Sequence, residues 1–551
     1  MGTFPSNPET QQPSNRLRII PLGGLGEIGM NLMVIEHGDT SIVVDCGMMF
    51  PDAATLGVDV IVPDMSYIFE NAARFKAVFL THAHEDHIGA LPFLVERVPL
   101  PVYGMPLTLG FLRDKLEEFT IDNIELRAMM PREVVEVGPF RVEAIRVTHS
   151  IVDALAFAIR TPSGTIIHTG DFKIDHTPID GRSTDLSALG RYGEEGVLVL
   201  MSDSTNALVE GHCPSERSIV GALESAFANA KGRIIITTFA SHIHRIQQVI
   251  DLARKYARKI VMIGRSLVDN VDTAERLGYI RFPREVRANG EADVIITTGT
   301  QGEATSALSR MAVGEHKHIE ITRGDTVIIS ARTIPGNERA VSHMIDNLYR
   351  LGADVVTWDT ADVHVSGHAC QEELKLMMNL TRPKYFIPIH GTLRHLVHHA
   401  RLAERVGVPH GVVITNGQVA EIDDQIRVLD ERVPNGKVFI DAEAEEVPEI
   451  VVRDRQHLAE DGFVIVVAAV DSDSKLVRDP EIITRGLVHV DSNQEMLDEL
   501  RQMVVGMFHS RPPEELRDPE LLQEAMRAML KRYFRKTMGR RPMILPVIWE
   551  M

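Results

Sequence analysis

The stretch Thr81-His82-Ala83-His84-Glu85-Asp86-His87 sets three imidazoles and the Asp86 carboxylate within six positions. It follows the apolar run Ala77-Val78-Phe79-Leu80, which reads as a strand, so the histidines fall on a strand-end loop where sites are commonly built. Histidines at alternate positions, followed by an Asp-His pair, suit a short loop that holds two metal ions side by side. His82 and His84 would grip one ion, and Asp86 and His87 would reach the other. A merely solvated histidine-rich loop leaves this spacing unexplained.

Around that loop the chain has the proportions of a soluble globular protein. Its 551 residues exceed a single core and predict two to four domains. Hydrophobic content of 44% and charged content of 25% are ordinary. No apolar stretch reaches the length of a membrane span, and the N-terminus lacks a signal peptide's pattern. Residues 1–16 are rich in Pro, Ser, Asn and Gln and read as a disordered tail. Cys46, Cys213 and Cys370 are scattered and odd in number, which argues against a disulfide framework and for a cytoplasmic location. The net charge of −19 excludes indiscriminate polyanion binding but leaves room for a locally basic cleft. The basic run between Arg527 and Arg541 reads first as a solvated helix face.

Leu17 to Gly47 contains a literal G-x-G-x-x-G at Gly24, Gly26 and Gly29. A dinucleotide fold needs a helix to start there. The glycines lead instead into β-branched sequence around a Gly38-Asp39 turn, the pattern of a hairpin. Further on, strand-like runs alternate with helical periodicity, as in Ile243, Ile246, Val249, Ile250 and Ala253, so the class is α/β. Three such runs end in chemistry-bearing residues: His149, Asp171 and Asp203. Acidic, aperiodic sequence at 443–455 reads as a linker to a small α+β unit over 456–551, with strands at Phe463–Val470 and Ile482–Val490 and helices at Gln494–Met507 and Glu514–Arg535.

A two-metal hydrolase needs further ligands and a bridging carboxylate that keeps the cations about 3.5–4 Å apart; His149 and Asp171 are the candidates. With these in place the sequence resembles the metallo-β-lactamase superfamily through Asp45, the His82-to-His87 motif, His149 and Asp171. The resemblance implies an αββα sandwich, with Asp45 orienting the site from behind the ligands. Redox relatives carry Glu where this chain has His84, so His84 favours hydrolysis. The superfamily's last histidine is then either His212, in a turn context, or the better placed His390, which ends the strand-like run Tyr385-Phe386-Ile387-Pro388-Ile389. Choosing His390 makes 207–379 an insertion between metallo-β-lactamase parts at 17–206 and 380–442, the layout of the β-CASP branch. Asp203, His368 and His390 match that branch's three motifs, and a His at the third implies an RNA substrate. The fullest likeness is to the bacterial ribonuclease J family, from about Leu17 to Met551, including Phe239-Ala240-Ser241-His242 and Thr333-Ile334-Pro335-Gly336-Asn337-Glu338. It implies 5′-to-3′ exonuclease action favouring 5′-monophosphate ends, endonuclease action, and roles in RNA maturation and decay. It also implies a homodimer or homotetramer to which the C-terminal domain contributes, with RNA-degradation machinery as a candidate partner.

The expected metal ligands are therefore His82, His84, Asp86, His87, His149, Asp171 and His390, holding two divalent ions. Their N and O donors suit both Zn and Mn. Asp86 would orient water, His368 would be the general acid, and Asp203 would tune it. By resemblance, His364, Val365, Ser366, Gly367 and His368 grip phosphate. Ser241 and His242 lie at a strand-to-helix switch that favours anions, and Phe239 is a stacking candidate. Two competing classes are a small-molecule hydrolase on the same metal fold and an RNA-binding scaffold without catalysis. The inserted domain counts against the first and the complete ligand set against the second.

Overall fold

The computed structural model describes residues 16–52, 54–334, 336–441, 445–487 and 494–551. The expected disordered tail lies outside them except for Arg16, as does Pro335 of the 333–338 motif. The chain divides into two compact units, one of residues 1–49 and 61–437, the other of 50–60 and 438–551. The class is mixed α/β, as the strand and helix periodicities predict.

The larger unit is built on two facing sheets. One runs, in spatial order, Ile426–Arg432, Gln418–Ile422, Leu17–Gly23, Leu32–His37, Thr40–Val44, Phe75–Phe79, Val102–Gly104 and Leu126–Ala128. The other runs His410–Gly411, Tyr385–Ile389, Val199–Asp203, Gly164–His168, Leu155–Thr161, Phe140–Arg146 and Val134–Val137. Their inner faces meet in one apolar core that includes Ile19, Ile35, Val44 and Phe79 from the first sheet and Phe157, Ile166, Met201 and Ile387 from the second. On the outer face of the second sheet, Leu189, Tyr192, Leu374, Met378 and Leu402 from three helices pack against Ile167, Leu200 and Phe386. The glycine-rich segment leads into the antiparallel pair Leu32–His37 and Thr40–Val44, a hairpin and not a nucleotide-binding helix.

Strand direction decides where the site can form. Thr40–Val44 and Phe75–Phe79 are parallel neighbours with Val44 opposite Phe79, so Asp45 and the Thr81–His87 loop leave the same sheet edge together. In the other sheet Gly164–His168, Val199–Asp203 and Tyr385–Ile389 are mutually parallel. Asp171, Asp203 and His390 therefore emerge side by side at their carboxyl ends, the usual ligand-binding edge of α/β sheets.

Between these strands the chain makes a separate all-parallel sheet ordered Ile260–Ile263, Val294–Thr297, Ile234–Thr237, Thr326–Ile329, Asp354–Val356. Its central strands are buried along their length, as parallel sheets covered on both faces require. At the carboxyl end of this sheet Arg245, fully buried on the helix Ile243–Lys255, donates to both carboxylate oxygens of buried Glu216 at 2.7 and 3.0 Å. It also donates to the Ser330 carbonyl (2.7 Å) and to His364 Nδ1 (3.0 Å).

The smaller unit has the sheet Glu481–Arg485, Phe463–Val470, Met543–Glu550. Its core joins Val464, Val466 and Ile544 to Leu500, Val504, Met526 and Phe534 of two helices. Four elements around this unit differ from expectation. Of the 443–455 linker, residues 443 and 444 lie outside the described part, and 449–455 belong to the helix Glu449–Asp461, which Val452 anchors by burial. The strand expected at Ile482–Val490 runs Glu481–Arg485, and residues 488–490 lie outside the described part. The helix expected at Glu514–Arg535 is two helices, Pro513–Leu516 and Pro519–Thr537. Pro519 lacks an amide hydrogen, and Asp518 caps the new start. The strand Met543–Glu550 is an element that the pattern does not signal, because Pro546 sits within it; a proline is tolerated on this edge position.

Burial alone would raise the Glu216 carboxyl, but the charge of Arg245, and then of His242, holds it well below the usual carboxylate range. A carboxyl lowered on folding stabilises the fold above its unfolded pKa of about 4.3 and loses that contribution as pH falls. Glu216→Gln strands a buried guanidinium and is expected to cost about 3–5 kcal/mol at neutral pH. Urea unfolding should show this, with a much smaller gap between variant and wild type at acid pH.

Candidate metal centre

The Thr81–His87 loop leaves the strand Phe75–Phe79 and closes in the short helix Glu85–Ile88. Gly47 is the reason it can pack where it does: a Cβ at that position would lie 1.6 Å from the Asp86 carbonyl oxygen. Cys46 N–H donates to the His87 carbonyl at 2.8 Å, and Asn31 N–H donates to that of Asp86 at 3.0 Å. Asp45 takes a left-handed backbone at φ 61°, as does His390 at φ 51°, conformations that cost a non-glycine residue energy and that cluster at functional sites.

Two donor clusters gather the loop's histidines, and a third group of Asp171, Asp203, His368 and His390 adjoins them. His82, His84, His149 and Asp171 each offer one ligand atom, all within 4.8 Å of one another; Asp86, His87, Asp171 and His390 do the same. Asp171 belongs to both. Its Oδ2 lies 3.8 Å from His82 Nε2, 3.8 Å from His149 Nε2 and 3.2 Å from His87 Nε2. His84 Nδ1 is 3.0 Å from His82 Nε2 and 3.2 Å from His149 Nε2. Donors bound at about 2.1 Å around a tetrahedral ion lie about 3.4 Å apart, so these spacings suit chelation. The second cluster is similar: His390 Nε2 is 3.4 Å and His87 Nε2 3.7 Å from Asp86 Oδ2. His390 Nε2 is also a buried nitrogen without a hydrogen-bond partner among the described residues, as a ligand atom awaiting a cation should be. The donor set fits divalent metal binding.

Hydrogen bonds behind the clusters fix which ring nitrogen faces inward. His87 Nδ1 is 2.8 Å from Asp45 Oδ2, His149 Nδ1 is 2.7 Å from the Gly367 carbonyl, and His390 Nδ1 is 2.6 Å from Asp171 Oδ1. In His87 and His149 the Nδ1–H donates to a group behind the cluster and turns Nε2 inward, the arrangement expected of metal-binding histidines; the His390 Nδ1–H donates instead to Asp171, itself a member of both clusters. Thr81 donates its hydroxyl and its amide to the two oxygens of Asp45, both at 2.8 Å, and its oxygen lies 3.0 Å from His82 Nδ1. The sequence alone assigns Thr81 no role. Its position immediately before the histidines, on a strand end facing Asp45, is the available signal.

The electrostatics divide the histidines. Burial depresses His82 and His149 well below the ordinary imidazole value, with neighbouring imidazoles adding to it, and burial takes His84 down to about 4. These three are neutral, the ligand form. Burial also pulls on His390 and His87, but Asp171 and Asp86 override it, carrying His390 up to about 10 and His87 well above its usual range.

Beside the clusters, His368 Nδ1 sits 2.8 Å from Asp203 Oδ2. Burial would lower its pKa, yet the Asp203 charge and hydrogen bond raise it. Ser366 Oγ accepts from Asn206 Nδ2 at 2.8 Å and from the His368 amide at 3.2 Å. Asn206 also donates to the His368 carbonyl at 2.9 Å, a positioning role that the sequence shows only as part of a motif. Gly367 packs against His149, where a Cβ would come within 2.8 Å of Cε1. Val365 is buried, so only its backbone can meet a ligand. His364 is taken down to about 2, chiefly by burial and then by Arg245. His242 is buried 3.4 Å from Glu216 Oε1, while Phe239 and Ser241 are half-buried just before it. His212 is exposed, away from both clusters.

A two-sheet sandwich carrying such a double His/Asp cluster on its sheet edges defines a metal-dependent hydrolase of the metallo-β-lactamase type. Family models agree: the metallo-beta-lactamase superfamily matches residues 26–203, and the Zn-dependent metallo-hydrolase RNA specificity domain matches 356–413. The beta-CASP domain of ribonuclease J matches 231–348, and its C-terminal domain matches 450–551. Ribonuclease J of Thermus thermophilus is 42% identical over 98% of this chain and 96% of its own length. Ribonuclease J of Synechocystis is 42% identical over 96% of the chain and 86% of its length, and ribonuclease J2 of Bacillus subtilis 40% over 98% and 99%. A crystal structure of a protein of unknown function from Enterococcus faecalis shares the fold at TM-score 0.52 and 16% identity, covering 74% of this chain and 100% of that one. The chain belongs to the ribonuclease J family.

Removing the Asp45 carboxylate frees the His87 ring and Thr81 without touching a ligand atom. Asp45→Ala is expected to weaken metal affinity about 10–100-fold, read as metal retained on dialysis against a graded chelator; unchanged retention would contradict the assigned role.

Proposed function

We propose that this protein hydrolyses RNA phosphodiesters as a metal-dependent ribonuclease. We propose further that it acts 5′-to-3′ from 5′-monophosphate ends and also cuts internally, in RNA maturation and decay. The observation that carries the reading is the pair of clusters sharing Asp171 beside the His368–Asp203 pair. On this reading His82, His84 and His149 would hold one divalent ion and Asp86, His87 and His390 another, with Asp171 within reach of both; Zn and Mn both suit the donors. Bound there, two divalent cations supply charge neutralisation at the phosphate and a water acidic enough to attack at neutral pH.

The chain's own groups do the rest. Asp86, about a third exposed and so reachable from solvent, orients the attacking water. His368 keeps Nδ1–H on Asp203 and delivers the Nε2 proton to the leaving oxygen, and Asp203 sustains the protonated form. Ser366 already accepts two hydrogen bonds, so its hydroxyl hydrogen is free to donate to a phosphate oxygen alongside the Gly367 backbone. His364, a neutral acceptor for Arg245, holds this segment in place. Ser241 and His242 at the head of the helix Ile243–Lys255 are the second anion contact, and Phe239 the stacking surface. The inserted domain over 207–379 contributes these last groups. The RNA specificity match over 356–413 supports RNA as the polymer, and we propose that a locally basic cleft offsets the net negative charge. Three free cysteines agree with a cytoplasmic setting, and among the described residues no helix is long and apolar enough to cross a membrane.

We also propose a homodimer or homotetramer assembled partly through the C-terminal unit. Leu545, Val547 and Trp549 stand 42%, 43% and 58% exposed on one face of the edge strand Met543–Glu550. They align with Ile465, Val467 and Ala469 of the next strand, and such an apolar face on an unpaired edge is an association surface.

Three outcomes test these statements. His390→Ala should abolish degradation of 5′-monophosphorylated RNA that the wild type carries out with Zn²⁺ or Mn²⁺, and 5′-triphosphorylated RNA should be the poorer substrate. Unchanged cleavage by the variant would sink the ligand assignment. His368→Ala should lower kcat about 10²–10⁴-fold while metal content stays at the wild-type level. The double change Leu545→Asp and Trp549→Asp should reduce the mass seen by light scattering to that of a single chain; an undiminished mass would rule this face out.

A further inference from the structure

Two of the three cysteines meet behind the segment that carries His368. Cys213 and Cys370 are both buried and both free thiols, and their side chains lie near enough to act on one another electrostatically. Their backbones are held together as well. The Cys213 amide donates to Glu373 Oε2 at 3.0 Å, and the Cys370 amide donates to the same oxygen at 2.7 Å. One carboxylate oxygen thus receives both amides, which holds the two cysteine backbones side by side.

This pair is wired to the RNA-facing segment. Cys213 Sγ donates to the Ser366 carbonyl at 3.0 Å. Cys370 follows His368 by two positions and caps the eleven-residue helix Gln371–Thr381. Ser366 and His368 are in turn held by Asn206, which lies between Asp203 and Cys213 in the chain. A bond between the two sulfurs would join the loop after Asp203 to the helix after His368. It would also remove the S–H that the Ser366 carbonyl receives from Cys213.

We propose that Cys213 and Cys370 form a reversible disulfide that switches the Ser366–His368 segment between an active, reduced form and a weakened, oxidised one. The oxidant is a peroxide. The Cys370 thiolate attacks a peroxide oxygen, the O–O bond breaks, water leaves after protonation, and Cys370 becomes a sulfenic acid. The Cys213 sulfur then attacks the Cys370 sulfur, the S–O bond breaks, and a second water carries off the hydroxyl and the Cys213 proton. Two thiols and one hydrogen peroxide thus give one disulfide and two waters. A dithiol reductant returns both protons and both electrons. Cys370 is the attacking thiol because it sits at the N-terminus of the helix Gln371–Thr381, where the backbone amides favour a thiolate. Cys46 has no second thiol beside it among the described residues and takes no part.

The effect on activity rests on the ribonuclease reading above, but bond formation does not, so the two can fail separately. Purified full-length protein is treated with hydrogen peroxide and then with dithiothreitol. Free thiols are counted after denaturation, peptides are mapped, and cleavage of 5′-monophosphorylated RNA is followed. The expected result is a drop from three thiols to one, a Cys213–Cys370 crosslinked peptide, and roughly tenfold slower cleavage, all reversed by dithiothreitol. Cys213→Ser and Cys370→Ser should each keep wild-type activity in the reduced state and lose the peroxide response. Three remaining thiols, or a crosslink involving Cys46, would overturn the proposal. A Cys213–Cys370 crosslink with undiminished cleavage would overturn its regulatory half. A reduced protein that cleaves no RNA would defeat the ribonuclease reading, while the thiol count would still decide whether the pair closes.

Discussion

A carboxylate removed from water keeps its charge only where other charges hold it, and Asp171 is such a group. It is buried, and one of its oxygens is ringed by the Nε2 atoms of three histidines while the other accepts a hydrogen bond from a fourth. Burial would raise its pKa, yet His390 and His87 hold it well below the ordinary range. Two of those histidines come from the loop at the edge of one sheet. His149 and His390 come from the other sheet, and so does Asp171 itself. The negative charge is the point at which the two halves of the sandwich converge, and the strand directions of both sheets serve to bring the histidine-bearing loops to it.

Holding that arrangement requires unfavourable backbone. Asp45 and His390 occupy left-handed conformations that cost a non-glycine residue on the order of 1–3 kcal/mol each. The hydrogen bonds from Thr81 and His87 to Asp45, and from His390 to Asp171, are what over-determine them. The rigid part of the site thus lies behind the donor clusters, while His368 and Asp86 keep a measure of exposure.

Much of this is legible from residue order alone. The His82-to-His87 spacing marks the clusters, and the strand-end positions of His149, Asp171 and His390 mark their partners. The resemblance to the ribonuclease J family links these residues across the chain. The support behind them is harder to read. Asn31 and Asn206 are ordinary polar residues in a hairpin and a loop, and nothing local says that their amides reach Asp86 or Ser366. Arg245 and Glu216 are 29 positions apart, and a charged pair on a sequence more often lies in solvent than at 0% and 4% exposure. The C-terminal strand escapes the pattern because its proline argues against a strand until its edge position is known. The helix at Pro519 merges with its neighbour in the sequence because helical periodicity runs on across a cap.

The distance along the chain between Asp171 and its partner His390 is 219 residues, and an entire parallel sheet is threaded between them. A ribosome makes these residues in order. When the first six members of the constellation have left it, the seventh has yet to be synthesised, and the inserted domain must be produced before it can arrive. The nascent chain therefore carries an incomplete centre through most of its own translation. The donor cluster that includes His390 can close only after the message has been read well past the insert.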